Sequence, residues 1–449
     1  MTNELRPLRP PPAVPRFPAT SGVPKNLFFN PRDRAFNQNP YPHYERLRNE
    51  DPVHRSPFGV WFLGKYKHVR EVLRNPSFSV QDVPGQLKRK NELLKTRKLV
   101  PNQPENLDAL IANSENWFAF LEAPDHTRLR RLVTGAFHKH TVERLRGYVQ
   151  SCAAAFLDPL MREGRMDLMQ DFAVRLPQNV IAHLLGIPAR DFPQCVAWAE
   201  VIGRIFDPLV SMEEYEALNR CSAAFMEYAR GLIALRREDP QDDLISALIA
   251  ARDDQDKLTE AELVSIILLN FGAGEETVVN LIGNGSLALI RHPDERAYLR
   301  SRPEIMPSAV EELLRYDAPL QMTSRTALKD YLIGDKHIKA GEQVYVALGS
   351  ANRDPERFVN PTSLLLEREN NQHMSFADGR HLCVGAGLAR LEAQEAFKIL
   401  LERMPDLRLV DPEADIAWRS HTVLRGMLSL PVRFTPSPIY SIGAGGSNA

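Results

Sequence analysis

The chain has 449 residues, 43% hydrophobic and 25% charged, an ordinary globular composition that excludes wholesale disorder. Lys+Arg 56 against Asp+Glu 57 leave a net charge of −1, which argues against a general nucleic-acid or polyanion binder. The four cysteines, Cys152, Cys195, Cys221 and Cys383, form no C-x-x-C pair, so neither a disulfide framework nor a cysteine-rich zinc module is expected.

Residues 1–24 hold seven of the 34 prolines and are expected to be an extended arm. No uncharged apolar run reaches the roughly 18 residues of a membrane helix, and the N-terminus lacks a signal-peptide core. A cytoplasmic protein without a membrane span is therefore expected. A short strand is predicted over residues 59–63. Residues 80–115 mix charge, proline and asparagine without a clear period and read as a long loop excursion. Helical periodicity takes over at residues 142–160 and 213–237.

The longest predicted helix runs from Thr259 to about Arg291. It opens with the capping box Thr259-x-x-Glu262 and stops at His292-Pro293. Residues 263–274 carry no charge, so its middle should be buried. A shorter helix is predicted over residues 307–316, and two strands over 330–338 and 343–348, paired about a Gly/Lys turn. A last helix is predicted over residues 388–404. Residues 25–435 show no linker-like break and are expected to form one domain, mainly α with a small β subdomain. Residues 436–449 are expected to be a flexible tail.

The chemistry concentrates around Cys383, in Phe376-Ala-Asp-Gly379-Arg-His381-Leu-Cys383-Val-Gly385. A lone cysteine is ordinarily a small buried hydrophobe. Here glycines bracket it and a helix follows at once, so helical N–H groups favour its thiolate. A thiolate on such a loop reads as a single-cysteine axial ligand to a haem iron. This segment resembles the haem-binding loop of the cytochrome P450 family, with Ala377 standing where glycine is usual.

Other segments carry the same resemblance. Glu312-Leu-Leu-Arg315 reads alone as a surface ion pair at i, i+3. In context it resembles the family's K helix, which implies a structural network of Glu312, Arg315 and Arg368. Phe271-Gly-Ala273-Gly-Glu-Glu276-Thr277 places two glycines in mid-helix, at about 1 kcal/mol each relative to alanine. Either close helix packing or a bent turn beside a ligand accounts for them. Thr277 can bond back to the carbonyl of Ala273 and promote such a bend. The stretch resembles the family's oxygen-activation motif, and the resemblance implies that Glu276 and Thr277 relay protons.

His126-Thr-Arg-Leu-Arg130 reads alone as a basic helix face. It resembles the family's C helix, which implies that His126 and Arg130 hold a haem propionate, joined by Arg325 and His381. From His126 to Arg146 six Lys/Arg stand against Glu143 alone, either an ordinary solvated face or a docking face for an acidic redox protein. Gly283-Asn-Gly285-Ser-Leu-Ala288 spells GxGxxA, but it lies inside the long helix rather than after a strand and is dismissed as a nucleotide motif.

The resemblance covers roughly residues 27–435. It implies a haem b monooxygenase of the soluble bacterial kind, inserting one oxygen atom from O₂ into a C–H or C=C bond. Electrons would come from NAD(P)H through separate partners, a ferredoxin and a ferredoxin reductase. An oxidative-coupling haem enzyme and a haem sensor or carrier without turnover are the alternatives. Residues 80–115 and 195–225 are expected to form a lid. Leu269, Ala273, Leu320, Gln321, Met322 and residues 422–424 are expected in the substrate wall. Such a wall, apolar with one amide, suits a medium or large hydrophobic molecule with a few polar handles. The resemblance implies a secondary metabolite such as a polyketide or macrolide, with fatty acids, terpenoids, steroids and a substrate tethered to a carrier protein left open. A monomer is expected.

Overall fold

A computed structural model describes residues 33–436 apart from 58, 81, 97–103, 138, 208, 209, 254 and 255. The expected arm, nearly all of the expected tail, and part of the 80–115 segment lie outside the described residues.

The long helix spans Glu260–Arg291. Glu262 N–H donates to the Thr259 hydroxyl at 3.3 Å, and Thr259 N–H donates to the Glu262 carboxylate at 2.8 Å. The capping box is thus formed on both sides. By length and composition this helix resembles a membrane span, yet 67% of its most apolar window is buried inside the protein. It packs against Arg175–Leu185, Met212–Glu238 and Ala386–Arg403. Gly283 and Gly285 serve that packing. A Cβ on Gly283 would lie 2.5 Å from Met169 Sδ, and one on Gly285 would lie 2.4 Å from Phe397 Cζ.

A five-stranded sheet flanks the helices, in the order Val53–Arg55, Trp61–Leu63, Gln343–Val346, Thr323–Ala327, Phe78–Val80. All pairs are antiparallel except Gln343–Val346 with Trp61–Leu63. The register sets Arg325 between Val344 and Val80, on the strand next to the edge strand Phe78–Val80.

Three expectations are corrected. The 330–338 segment does not pair with 343–348. It folds on itself as the hairpin Tyr331–Ile333 with Lys336–Ile338, turning at Gly334 with φ +60. Alternation marks a strand but not its partner, and Gln343–Val346 pairs instead with Trp61–Leu63 and Thr323–Ala327. The 80–115 segment is not a plain loop. Val83–Thr96 and Asp108–Ser114 are helices. Val83, Leu87, Asn91 and Leu94 are buried at helical spacing, and Asn91 hid the stripe because it is polar. Its carbonyl accepts from Leu107 N–H at 2.8 Å and its amide donates to Asp108 at 2.7 Å. The 142–160 helix is split into Lys139–Arg144 and Arg146–Leu157.

Candidate active site

The cysteine loop is tied by its own backbone. Cys383 N–H donates to Phe376 C=O at 3.0 Å, and Ala377 N–H donates to Met374 C=O at 2.8 Å. Ala377 has φ +61, a left-handed conformation that glycine adopts freely and alanine does not. Gly379 has φ +73, and a Cβ there would sit 2.7 Å from Leu73 C=O. Gly385 is different: its φ is −79, and an added Cβ would meet only Cys383 Sγ, at 4.0 Å. That side of the loop is open, as a flat ligand above the sulfur requires.

Cys383 faces a cavity of about 370 Å³ whose walls also include Ala273 and Thr277 of the long helix. The sulfur is open to the cavity but screened from bulk solvent, so burial pushes its thiol up. Backbone N–H groups of Gly385 and Ala386, and the charges of Arg130 and Arg390, pull the other way. These are the groups that favour a thiolate once a metal ion takes the proton's place.

Beside the loop, cationic and hydrogen-bonding groups converge. The rings of His126 and His381 lie 4.1 Å apart, and the buried Nε2 of each has no hydrogen-bond partner. Burial holds His381 down to about 2, aided by His126, Arg325, Arg380 and Arg130. Burial likewise lowers Arg325 to about 10. Arg130 donates to Leu382 C=O at 2.5 Å. Glu122 pairs with Arg380 at 3.2 Å. Such crowding of like charge is unfavourable alone and is relieved by an anion. Orphaned imidazole nitrogens, surplus guanidinium and an open cysteine fit a flat group carrying two carboxylates and a thiolate-seeking iron, as haem does.

Across the cavity, Thr277 Oγ1 donates to Ala273 C=O at 3.2 Å. A Cβ on Gly272 would meet nothing within 4 Å, and one on Gly274 would make only an ordinary 3.5 Å contact with Ile181. These glycines therefore clear space for a ligand rather than admit another helix. Glu276 lines the cavity and faces Arg419 at 3.7 Å; burial pushes its carboxyl up. Its neighbour Glu275 accepts from Gln178 at 2.5 Å, and burial pushes it up to about 8.

Glu312, Arg315 and Arg368 meet. Arg315 forks onto Glu312 at 2.7 and 2.8 Å, and Arg368 Nε lies 3.0 Å from the same carboxylate. Glu312 and Arg315 are 0% exposed. Arg315 also donates to the carbonyls of Asn352, Pro361 and Ser363. The network thereby pins the irregular chain ahead of the cysteine loop.

Leu269, Ala273, Leu320 and Met322 line the cavity, as do Val423 and Leu424. Gln321 does not. Its Nε2 donates to Ala318 C=O at 2.7 Å, and its Oε1 lies against Gly349, so the expected amide of the wall is a packing residue. Thr422 also departs from the wall, donating to Asp207 at 3.0 Å. Of residues 195–225, Gly203 and Phe206 reach the cavity. Sequence reasoning missed the aromatic roof of Phe118, Phe120 and Phe206, in which Phe120 and Phe206 lie 5.6 Å apart. It also missed Asn270 and Arg419, neither of which sits in a motif. Of the basic run, Arg128 pairs with Glu262, Arg144 with Asp242, and Arg146 with Glu143 and Glu395. Intramolecular pairing therefore consumes much of the expected docking face.

Comparison with known proteins gives the same picture. The family model described as Cytochrome P450 matches residues 90–301 and 299–405. The polyketide biosynthesis cytochrome P450 PksS of Bacillus subtilis is 39% identical over 416 residues, 91% of this chain and 99% of that protein. The cytochrome P450 monooxygenase PikC of Streptomyces venezuelae is 36% identical over 92% of this chain and 96% of its own length. The crystal structure of P450BioI in complex with hexadec-9Z-enoic acid ligated acyl carrier protein superposes with TM-score 0.81 at 36% identity, covering 89% of this chain and 99% of that one.

Proposed function

The chain belongs to the cytochrome P450 family and is a haem-thiolate monooxygenase; from that premise we propose that it oxidises a polyketide- or macrolide-like secondary metabolite. The observation that carries this reading is one cavity holding Cys383 on one side, Thr277 and Glu276 on the other, and an apolar aromatic roof. The substrate class is supported by that roof and by relatives named as a polyketide biosynthesis cytochrome P450 and a mycinamicin IV hydroxylase/epoxidase.

When bound, haem supplies an iron that activates O₂ with electrons from outside the chain. The protein's part is to hold, orient and protonate. Cys383 Sγ is the iron ligand, its charge stabilised by the N–H groups of Gly385 and Ala386. His126, Arg130, Arg325 and His381 hold the two carboxylates. Glu276 supplies protons from its half-buried carboxyl, and the Thr277 hydroxyl, fixed by Ala273 C=O, receives and passes them at Oγ1. Glu312, Arg315 and Arg368 keep the cysteine loop in register. Phe118, Phe120 and Phe206 exclude water and orient the apolar substrate.

A ferredoxin and its reductase would deliver electrons from NAD(P)H, in the cytoplasm. A carrier-tethered substrate is the second arm of the same reading, since P450BioI is seen with an acylated carrier protein. The test is turnover under isotopically labelled O₂ with surrogate redox partners and a panel of free and carrier-tethered polyketides. One labelled oxygen per product molecule is expected. Label-free product, or reductant consumption without product across the whole panel, would overturn the reading.

A further inference from the structure

Asn270 lies on the cavity wall, half-buried on the long helix beside Leu269. Its Nδ2 donates to Ile266 C=O at 2.9 Å. A carbonyl cannot donate to a carbonyl, so this bond fixes which end of the amide is which. No donor among the described residues reaches its Oδ1. The wall around it is apolar, with Leu269, Ala273 and Phe206 also facing the cavity. An acceptor presented to an apolar space is unfavourable until a donor meets it. With Gln321 packed elsewhere, Asn270 is the amide that this wall does possess.

Its position sets it apart from Thr277. Thr277 is seven residues further on, two helical turns and a rise of about 10 Å, and seven residues return to nearly the same face. Asn270 and Thr277 therefore look into one cavity from one face. Thr277 marks the end where oxygen is activated, and Asn270 lies two helical turns from it.

We propose that Asn270 Oδ1 is a specificity-determining acceptor that selects substrates with a hydroxyl remote from the carbon that is oxidised. The inference rests on the monooxygenase reading above. It narrows the substrate class to elongated or large-ring hydrophobic molecules with a remote hydroxyl. A hydrocarbon chain without a donor leaves Oδ1 unpaired and binds more weakly.

The test is optical titration of the ferric holoenzyme with matched pairs, each a hydroxylated compound and its deoxy congener, from macrolactones, long-chain alcohols and steroids. Wild-type protein, Asn270→Leu and Asn270→Gln are compared. For at least one pair, wild-type binds the hydroxylated member about three- to tenfold more tightly, the range of one neutral hydrogen bond. Asn270→Leu abolishes that preference while still binding the deoxy member. Asn270→Gln keeps both an amide donor and an acceptor and retains it. The assignment is overturned if wild-type discriminates in no pair, or if the preference survives in Asn270→Leu. Soret shifts without discrimination would sink the Asn270 assignment alone. No shift with any compound would sink the substrate class with it.

Discussion

Glu276 and Arg419 face each other at 3.7 Å where the loop around residue 419 meets the long helix. Burial raises the Glu276 carboxyl, and the Arg419 charge opposes that rise. Arg419 also opposes the rise of the neighbouring Glu200 and Glu275, so one guanidinium serves three acids. Removing it, as in Arg419→Leu, should drive Glu276 further up. Glu276 would then stay protonated to higher pH. The coupling of electrons to product should keep its low-pH value into more alkaline solution than in wild-type. The pH profile of product formed per NAD(P)H consumed measures this. A profile that moves the other way would count against Glu276 as the proton donor.

Glu275 gives a stability prediction with a definite sign. Its folded pKa, about 8, lies above the ordinary carboxylate value of 4.5. The folded state therefore binds this proton more tightly than the unfolded chain. Stability from this group is complete below about 4.5 and is lost as pH rises through about 8. Glu275→Gln removes the ionisable group and keeps an acceptor for Gln178. It should match wild-type in acid and exceed it above pH 8, on the order of 2–4 kcal/mol. Urea unfolding at several pH values checks this.

Ala377 holds φ +61 in the turn before the cysteine. Left-handed backbone costs alanine about 1–2 kcal/mol, and glycine's greater freedom in the unfolded chain returns part of the gain. Ala377→Gly should be stabilising by roughly 0–1 kcal/mol. Ala377→Val should be destabilising, because a β-branched residue tolerates that region least. Thermal unfolding of the two variants should straddle wild-type.

Glu312 carries two arginines in a fully buried setting. Glu312→Ala leaves both guanidinium groups without their carboxylate. The expected loss is about 3–5 kcal/mol, the cost of breaking a buried pair from one side. The prediction is loss of soluble holoenzyme, or a fall in the urea midpoint of that size. A near-neutral result would show that the backbone carbonyls around Arg315 suffice.

Legibility followed locality. The long helix was readable because its capping box and terminal proline are local signals, and the structure keeps both ends. The cysteine loop was readable because Gly379 and Cys383 sit at fixed spacing within a few residues. What could not be read was set by distant partners. Gln321 and Asn270 are both polar residues beside apolar ones, and only packing against Gly349 turns the first from the wall. The basic run looked unpaired because its carboxylates, Glu262 and Glu395 among them, lie far along the chain. Asn91 broke the stripe of an otherwise regular helix because its amide ties down Leu107 and Asp108 at the start of the next helix.

The central claim is that Cys383 binds haem iron as a thiolate. Its most direct test is the optical spectrum of the reduced protein under carbon monoxide, for wild-type and Cys383→Ser. Wild-type should show the strongly red-shifted Soret band of a thiolate-ligated haem, and Cys383→Ser should lose that band. A wild-type spectrum of the histidine-ligated kind, or a red-shifted band that survives in Cys383→Ser, would contradict the account.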